Sequence, residues 1–220
     1  PRRYPFPESD WAPRAPDCNR WAQIAKSAGC RFAVLTAKHH EGFALWPSEF
    51  GNHSVAQATV RTDIVAEFLR AFRAAGLQAG LYFSVLDLTA GIGRRSFTPV
   101  QRELVLGQIT ELLTNYGEIP YLIIDGWNAP WGGPSYRELP FEEVDALAHV
   151  AVSLFPRLAD LQRLERRHFV DTPPGHGSGL VHVLRTFQRR GVAPRGEGGL
   201  GPGKGAVDLF LHHGEKQPCD

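Results

Sequence analysis

Three short apolar runs, each ending in ionisable residues and separated by amphipathic segments, constrain this chain more than any other feature. RFAVLTA (31–37) runs into Lys38, His39, His40 and Glu41; GLYFSVLD (80–87) ends on Asp87; YLIID (121–125) ends on Asp125. The runs have strand length and are continuously apolar, as strands are when both faces are covered. Helical patterns alternate with them. Asp17 is placed to cap a helix over 19–28, whose apolar Trp21, Ile24, Ala25 and Ala28 recur at i, i+3, i+4 and i+7 before Gly29 stops it. Asp63 and Ile64 open a second helix, striped by Ile64, Val65, Phe68, Leu69 and Phe72 and ended by Gly76. Thr98-Pro99 supplies a cap and a first-turn proline for a third, carrying Leu104, Ile109, Leu112 and Leu113 up to Gly117. A fourth starts at Pro140 and runs through Val144, Leu147 and Ala151 to Phe155.

This alternation predicts an α/β fold on a parallel sheet. In such sheets the C-terminal strand ends converge on one edge, where ligands bind. Solvated loop residues would explain one polar strand end. Three consecutive strands ending in His-His-Glu, Asp and Asp point instead to a site. The strand-to-helix loops on that edge are long (41–62 and 86–98), while the opposite turns are tight. A flavodoxin-like sheet shares the alternation but needs a Gly-rich phosphate loop, which is missing. The expectation is therefore a (β/α)8 TIM-barrel type, and a partial one, because no strand pattern precedes Trp21 and the closing strands are unclear.

Three domain-level segments follow from this. Residues 1–18, with five prolines, read as an extended lead-in. Residues 19–156 form the partial barrel. Residues 157–220 are a poorly defined, Gly/Pro-rich continuation, with a candidate helix in LVHVLRTFQRR (180–190) and a candidate strand in AVDLFLHHGE (206–215). The His212-His213 doublet echoes His39-His40 by coincidence.

Composition removes several function classes. With 24 Lys+Arg against 23 Asp+Glu the chain offers no charge footprint for a nucleic-acid backbone. No apolar run reaches the ~18 residues of a membrane span. Three cysteines, an odd number, cannot form a disulfide framework. The chain begins at Pro1 and contains no Met, which predicts a processed or partial product; no leader segment indicates a compartment. Oligomeric state is not written in the sequence.

The tract WAQIAKSAGCRFAVLTAKHHEGFALWPS (21–48) resembles glycoside hydrolase family 29, the α-L-fucosidases. The family pattern is Trp-x-x-x-Ala-Lys-x-Ala-Gly, a strand, then Lys-His-His-Asp/Glu-Gly-Phe-x-Leu-Trp-x-Ser. The resemblance continues through DIVAEFLRAFRAAGLQAGLYFSVLD (63–87), similar to the family's stretch ending in Gly-Leu-Tyr-Tyr-Ser, and reaches YLIIDGW (121–127). It covers residues 19–155 approximately, with three motifs in order. Here Phe83 stands for the second Tyr of that stretch and Ile123 for a residue that is often Trp. The family's first strand, with its own sugar-contacting His, has no counterpart before Trp21.

The resemblance implies a retaining exo-glycosidase that removes terminal α-L-fucosyl residues from a fucosylated glycan or glycoside, without metal or other cofactor. Asp125 would be the nucleophile, forming a covalent fucosyl intermediate that water hydrolyses. His39 and His40 would hold sugar hydroxyls, as would Tyr82; Trp46 and Trp127 would wall the pocket. Adjacent residues on an extended strand face opposite ways, so both histidines reach one sugar only if the strand ends between them. Trp46 could equally be a core aromatic. Lys38 and Glu41 could equally be a supporting ion pair. The acid/base residue stays unassigned, since Glu165, Asp171, Glu197 and Glu215 lie in no recognisable motif.

Two other readings remain at this stage. One is an inactive or sugar-binding fragment of such a barrel. The other is a metal-dependent TIM-barrel hydrolase using His39, His40 and Asp125, although adjacent histidines are poorly spaced as co-ligands.

Overall fold

The computed structural model describes residues 7–154 apart from 15, 94–96 and 131, together with a strand at 182–185; for 149–154 and 182–185 it describes the backbone alone. Local capping chemistry sets the helix starts. Asp17 accepts the Arg20 N–H (2.9 Å) at the head of α1, Cys18–Ser27. Asp63 does the same for Ala66 (2.8 Å) at the head of α2, Ile64–Ala74. Thr98 and Gln101 exchange side-chain and backbone hydrogen bonds in a capping box that opens α3, Pro99–Thr114. Each such cap contributes roughly 1 kcal/mol. The fourth helix, α4, is Phe141–Leu154.

The strands between them are β1 (Phe32–Lys38), β2 (Gln78–Ser84) and β3 (Tyr121–Asp125). They pair in chain order and all parallel, with Thr36 opposite Tyr82, Tyr82 opposite Ile123 and Ser84 opposite Asp125. Three consecutive parallel units therefore fold as the alternation implies. Leu81, Phe83, Leu122 and Ile124 point toward the helices and are fully buried with Phe68, Leu69, Phe72, Ile109 and Leu112.

Three expectations need correction. The apolar runs imply two covered faces, but the face carrying Thr36, Tyr82, Ile123 and Asp125 is only half-buried, and Thr36 is exposed. No element among the described residues packs over it. The candidate helix at 180–190 contains instead a strand, β4 (His182–Arg185), antiparallel to β3 with His182 opposite Ile124. It satisfies the backbone groups along β3's outer edge, which an unpaired edge would leave open. The described sheet is thus four-stranded and mixed, with β1 to β3 parallel, and the α/β class with a parallel sheet holds for this part of the chain. Finally, the lead-in is not simply extended. Glu8–Asp10 form a 3-10 turn, Trp11 packs on Phe43 (5.1 Å between ring centroids), and Glu8 pairs with His53 at 2.6 Å. The candidate strand at 206–215 and the His212-His213 doublet lie outside the described residues.

Candidate active site

At the tip of β1 the pairing register slips between Thr36 and Lys38. Lys38 is turned into the interior. Its Nζ lies 3.0 Å from Asp87 Oδ2, 2.8 Å from Gln108 Oε1 and 4.4 Å from the Phe83 ring centroid. Lys38 has no exposed surface, and burial holds its ammonium below the usual lysine range against the opposing pull of Asp87. Asp87 also accepts the Ala90 N–H (2.8 Å). Lys38 is thus tied to the loop after β2 and to α3, not to Glu41. Gly42, at φ +92°, passes so close that a Cβ would lie 2.1 Å from Asp87 Oδ1. No other residue fits there.

Because β1 ends at Lys38, the chain turns at once, and the Gly42 N–H closes the turn on the His39 carbonyl (3.0 Å). The two imidazoles come out on the same side, 4.0 Å apart between centroids. That turn meets the geometric condition for both to face one ligand. His40 Nδ1 is 2.7 Å from Ser84 Oγ, and its Nε2 is 3.8 Å from Asp125 Oδ2. Burial and the neighbouring His39 push its pKa down to about 4, despite Asp125 and Glu41, so the ring is neutral at neutral pH. His39 stacks flat on Tyr82 (5.7 Å, 12°) and lies 3.5 Å from Glu41 Oε2. Burial would raise the Glu41 carboxyl, but its hydrogen bonds to His39 and the backbone, with both imidazoles nearby, hold it below the usual range.

Asp125 sits at the tip of β3 and completes the cluster. Tyr82, one strand away on the same face, donates its hydroxyl hydrogen to Asp125 Oδ2, and the Gly126 N–H donates to Oδ1 at 2.6 Å. Burial, and then the Asp125 hydrogen bond, push the Tyr82 phenol far above its ordinary pKa, so it stays a donor. Gly126 has φ +71°, and a Cβ there would lie 2.6 Å from Leu86 Cβ. The turn that aims Asp125 therefore requires glycine.

The structure brings His39, His40, Tyr82 and Asp125 together. It does not bring Trp46 or Trp127. Trp46 is 1% exposed, donates its indole N–H to Glu111 Oε2 (2.8 Å) and packs on Phe83. Glu111 also takes the Ser48 hydroxyl and the Glu49 N–H, so Trp46 anchors the loop after β1 to α3. Trp127 is 0% exposed, donates to the Leu139 carbonyl (2.9 Å) and stacks on Phe141. Both indoles are core residues in this fold, because their N–H donors find interior acceptors. Sequence reasoning missed Ser84, which lies two residues beyond Tyr82 on the same face and reaches His40. Among the described residues, no group of three or more His, Cys, Asp or Glu is arranged to hold a metal ion, and no helix is long and apolar enough to cross a membrane.

With strands β1 to β3 delivering His40, Tyr82 and Asp125 to one edge, the wider relationships become decisive. The family profile described as Alpha-L-fucosidase matches residues 3–154. The chain belongs to the α-L-fucosidase family. It is 37% identical over 157 residues to Alpha-L-fucosidase 1 of Arabidopsis thaliana, covering 66% of this chain and 30% of that protein. It is 36% identical over 111 residues to the Plasma alpha-L-fucosidase of Homo sapiens, covering 46% and 23%. Among solved structures it resembles a GH29 α-L-fucosidase from Bacteroides thetaiotaomicron, trapped as a covalent intermediate with 2-fluoro-fucosyl fluoride. That match has a TM-score of 0.56 and 28% identity, over 67% of this chain and 34% of the other. A glycoside hydrolase 29 member from a rumen bacterium matches with a TM-score of 0.57 and 30% identity, over 66% and 28%. The chain spans about 30% of the length of the Arabidopsis relative.

Proposed function

We propose that this α-L-fucosidase family chain carries the nucleophile half of a retaining active site for terminal α-L-fucosyl groups. The observation that carries this reading is the convergence on Asp125. Its carboxylate is held by Tyr82 from β2 and faced by His40 from the end of β1. A carboxylate oxygen of Asp125 bonds to the sugar C1 as the bond from C1 to the leaving oxygen breaks, and an acid protonates that oxygen. Water then attacks C1, the C1–Asp125 bond breaks, and the water's proton returns to the group that served as acid. Neutral His40 and the exposed edge of His39 offer nitrogen atoms to sugar hydroxyls beside that carbon.

The acid comes from outside this cluster. Among the described residues Glu41 is the other carboxylate beside the histidines, and it is held ionised, the wrong state for donating a proton at neutral pH. The domain reading follows the same line: residues 19–156 are the partial (β/α)8 catalytic unit and 157–220 a continuation of different character. The end of the family match at 154 and the antiparallel β4 support that division.

Treating the 220-residue chain with a fluorinated fucosyl inhibitor, followed by peptide mapping, tests the assignment. The label is expected on Asp125. A label on any other side chain, or full turnover of an aryl α-L-fucoside by Asp125→Ala, overturns it. One second reading is a fucose-binding unit without turnover, since the chain spans about 30% of the length of the Arabidopsis relative. A thermal transition raised by L-fucose, in a chain that neither hydrolyses the aryl fucoside nor takes the label, would select it.

A further inference from the structure

The loop after β3 doubles back onto the residue that follows Asp125. The Asn128 N–H donates to the Pro134 carbonyl (2.8 Å) and the Gly132 N–H to the Ala129 carbonyl (3.1 Å), which closes a tight hairpin between Asn128 and Pro134. At its base Gly133, with φ +86°, lies on the Gly126 carbonyl. A Cβ on Gly133 would be 1.6 Å from Gly126 O, 2.8 Å from Gly126 C and 3.6 Å from Gly126 Cα. All three are backbone atoms of one residue, so no flexible side chain can give way. Asn128 opens the hairpin at φ +51°, the one positive φ outside glycine among the described residues. Asn enters that region more readily than most residues, and a conformation of this kind persists where the surrounding structure enforces it.

Gly126 is held on its other sides as well. A Cβ there would lie 2.6 Å from Leu86 Cβ, and the same leucine backs the hairpin at Gly132, where a Cβ would lie 3.1 Å from Leu86 Cδ1. Trp127 follows, fully buried, with its indole N–H on the Leu139 carbonyl. Between these fixed neighbours, a displacement of the Gly126 carbonyl passes back through Gly126 to its N–H. That N–H is the donor to Asp125 Oδ1 (2.6 Å).

We propose that Gly133 and Asn128 are positioning residues for Asp125: they fold the loop after β3 into a clamp on the Gly126 carbonyl, and so fix the Gly126 N–H that holds the carboxylate. Both act through the Gly126 backbone rather than on a ligand. The chemical role of the carboxylate rests on the fucosidase reading above; the clamp does not.

Two readouts on the 220-residue chain test the clamp. The first is the Gly126 amide proton in isotope-labelled protein, which a carboxylate partner shifts downfield. It should move upfield in Gly133→Ala and in Asn128→Val, whose branched side chain disfavours positive φ. It should stay in place in Asn128→Gly, the conservative variant that keeps the turn. The second is the rate constant for labelling by a fluorinated fucosyl inhibitor. Loss of folded protein lowers the amount labelled and leaves this rate constant alone, whereas a misplaced carboxylate lowers it. Gly133→Ala should reduce it more than about tenfold while the inhibitor concentration giving half the maximal rate stays within about twofold. Asn128→Val should slow labelling in the same way, and Asn128→Gly should restore it. Gly133→Ala with the amide shift and rate constant of the wild type means that the hairpin lifts without moving Gly126, and overturns the inference. Asn128→Gly as slow as Asn128→Val overturns the part given to the turn at Asn128. If Gly133→Ala does not fold, the two Asn128 variants decide. Amide shifts as expected in a wild-type chain that takes no label on Asp125 support the clamp and overturn the fucosidase reading instead.

Discussion

Lys38 and Asp87 meet at 3.0 Å in the interior, at the point where β1 gives way to the turn that carries both site histidines. The pair joins β1 to the loop after β2, and Gln108 extends it to α3. Buried ion pairs add little net stability over apolar replacements, but breaking one strands a charge. Lys38→Met is therefore expected to cost about 3–5 kcal/mol in urea unfolding, whereas Lys38→Met with Asp87→Leu recovers most of it. A single variant within about 0.5 kcal/mol of wild type would mean that the pair does not fix the strand tip.

His40 gives the fold an acid-side weakness. Its folded pKa is about 4, below its ordinary 6.5, through burial first and then His39, with Asp125 and Glu41 opposing. Between those values the unfolded chain binds a proton that the folded chain does not, so folding stability rises with pH across the window. The contribution is lost as pH falls from about 6.5 toward about 4, and it is flat above 6.5. Melting temperature measured against pH should show this slope in the wild type and a shallower one in His40→Gln. Equal slopes would remove His40 as the cause.

What could be read from the sequence was local. The caps at Asp17, Asp63 and Thr98 are decided within three residues, and β3 occupies the five residues of the YLIID run. The three parallel strands and the gathering of His39, His40 and Asp125 at one edge follow from the alternation of strands and helices, whereas Tyr82 was expected there on the family resemblance alone. The misreadings were tertiary. An indole next to a motif looks the same whether it lines a pocket or a core; Trp46 was settled by Glu111, 65 residues away. Ser84 could be placed on the Tyr82 face by period-two counting, but its link to His40 spans 44 residues. The residues of β4 look helical in isolation, and only the open edge of β3 makes them a strand.

Trp46 separates stability from binding. Its indole N–H satisfies Glu111 in the interior, and a phenyl ring cannot. Trp46→Phe should lower stability by about 1–3 kcal/mol through the unsatisfied carboxylate oxygen and lost packing. L-fucose affinity of the folded fraction should stay within about twofold, since the side chain is not at the site. A variant of normal stability whose fucose affinity falls tenfold or more would restore Trp46 to the pocket.

Gly126 and Gly29 offer a matched comparison of backbone strain with and without crowding. Both have positive φ, +71° and +79°. A Cβ on Gly29 meets nothing within 4 Å, whereas one on Gly126 lies 2.6 Å from Leu86 Cβ and 2.9 Å from Leu86 N. Gly29→Ala is expected to cost about 1–2 kcal/mol, the penalty for a left-handed residue alone. Gly126→Ala adds an overpacking cost of about 1–3 kcal/mol and pushes the turn off Asp125. Because the Gly126 N–H and the Tyr82 hydroxyl both aim at that carboxylate, labelling by a fluorinated fucosyl inhibitor should slow more than tenfold in Gly126→Ala and stay unchanged in Gly29→Ala. Equal stability losses in the two variants, or unchanged labelling in Gly126→Ala, would show that the turn after β3 does not set the position of Asp125.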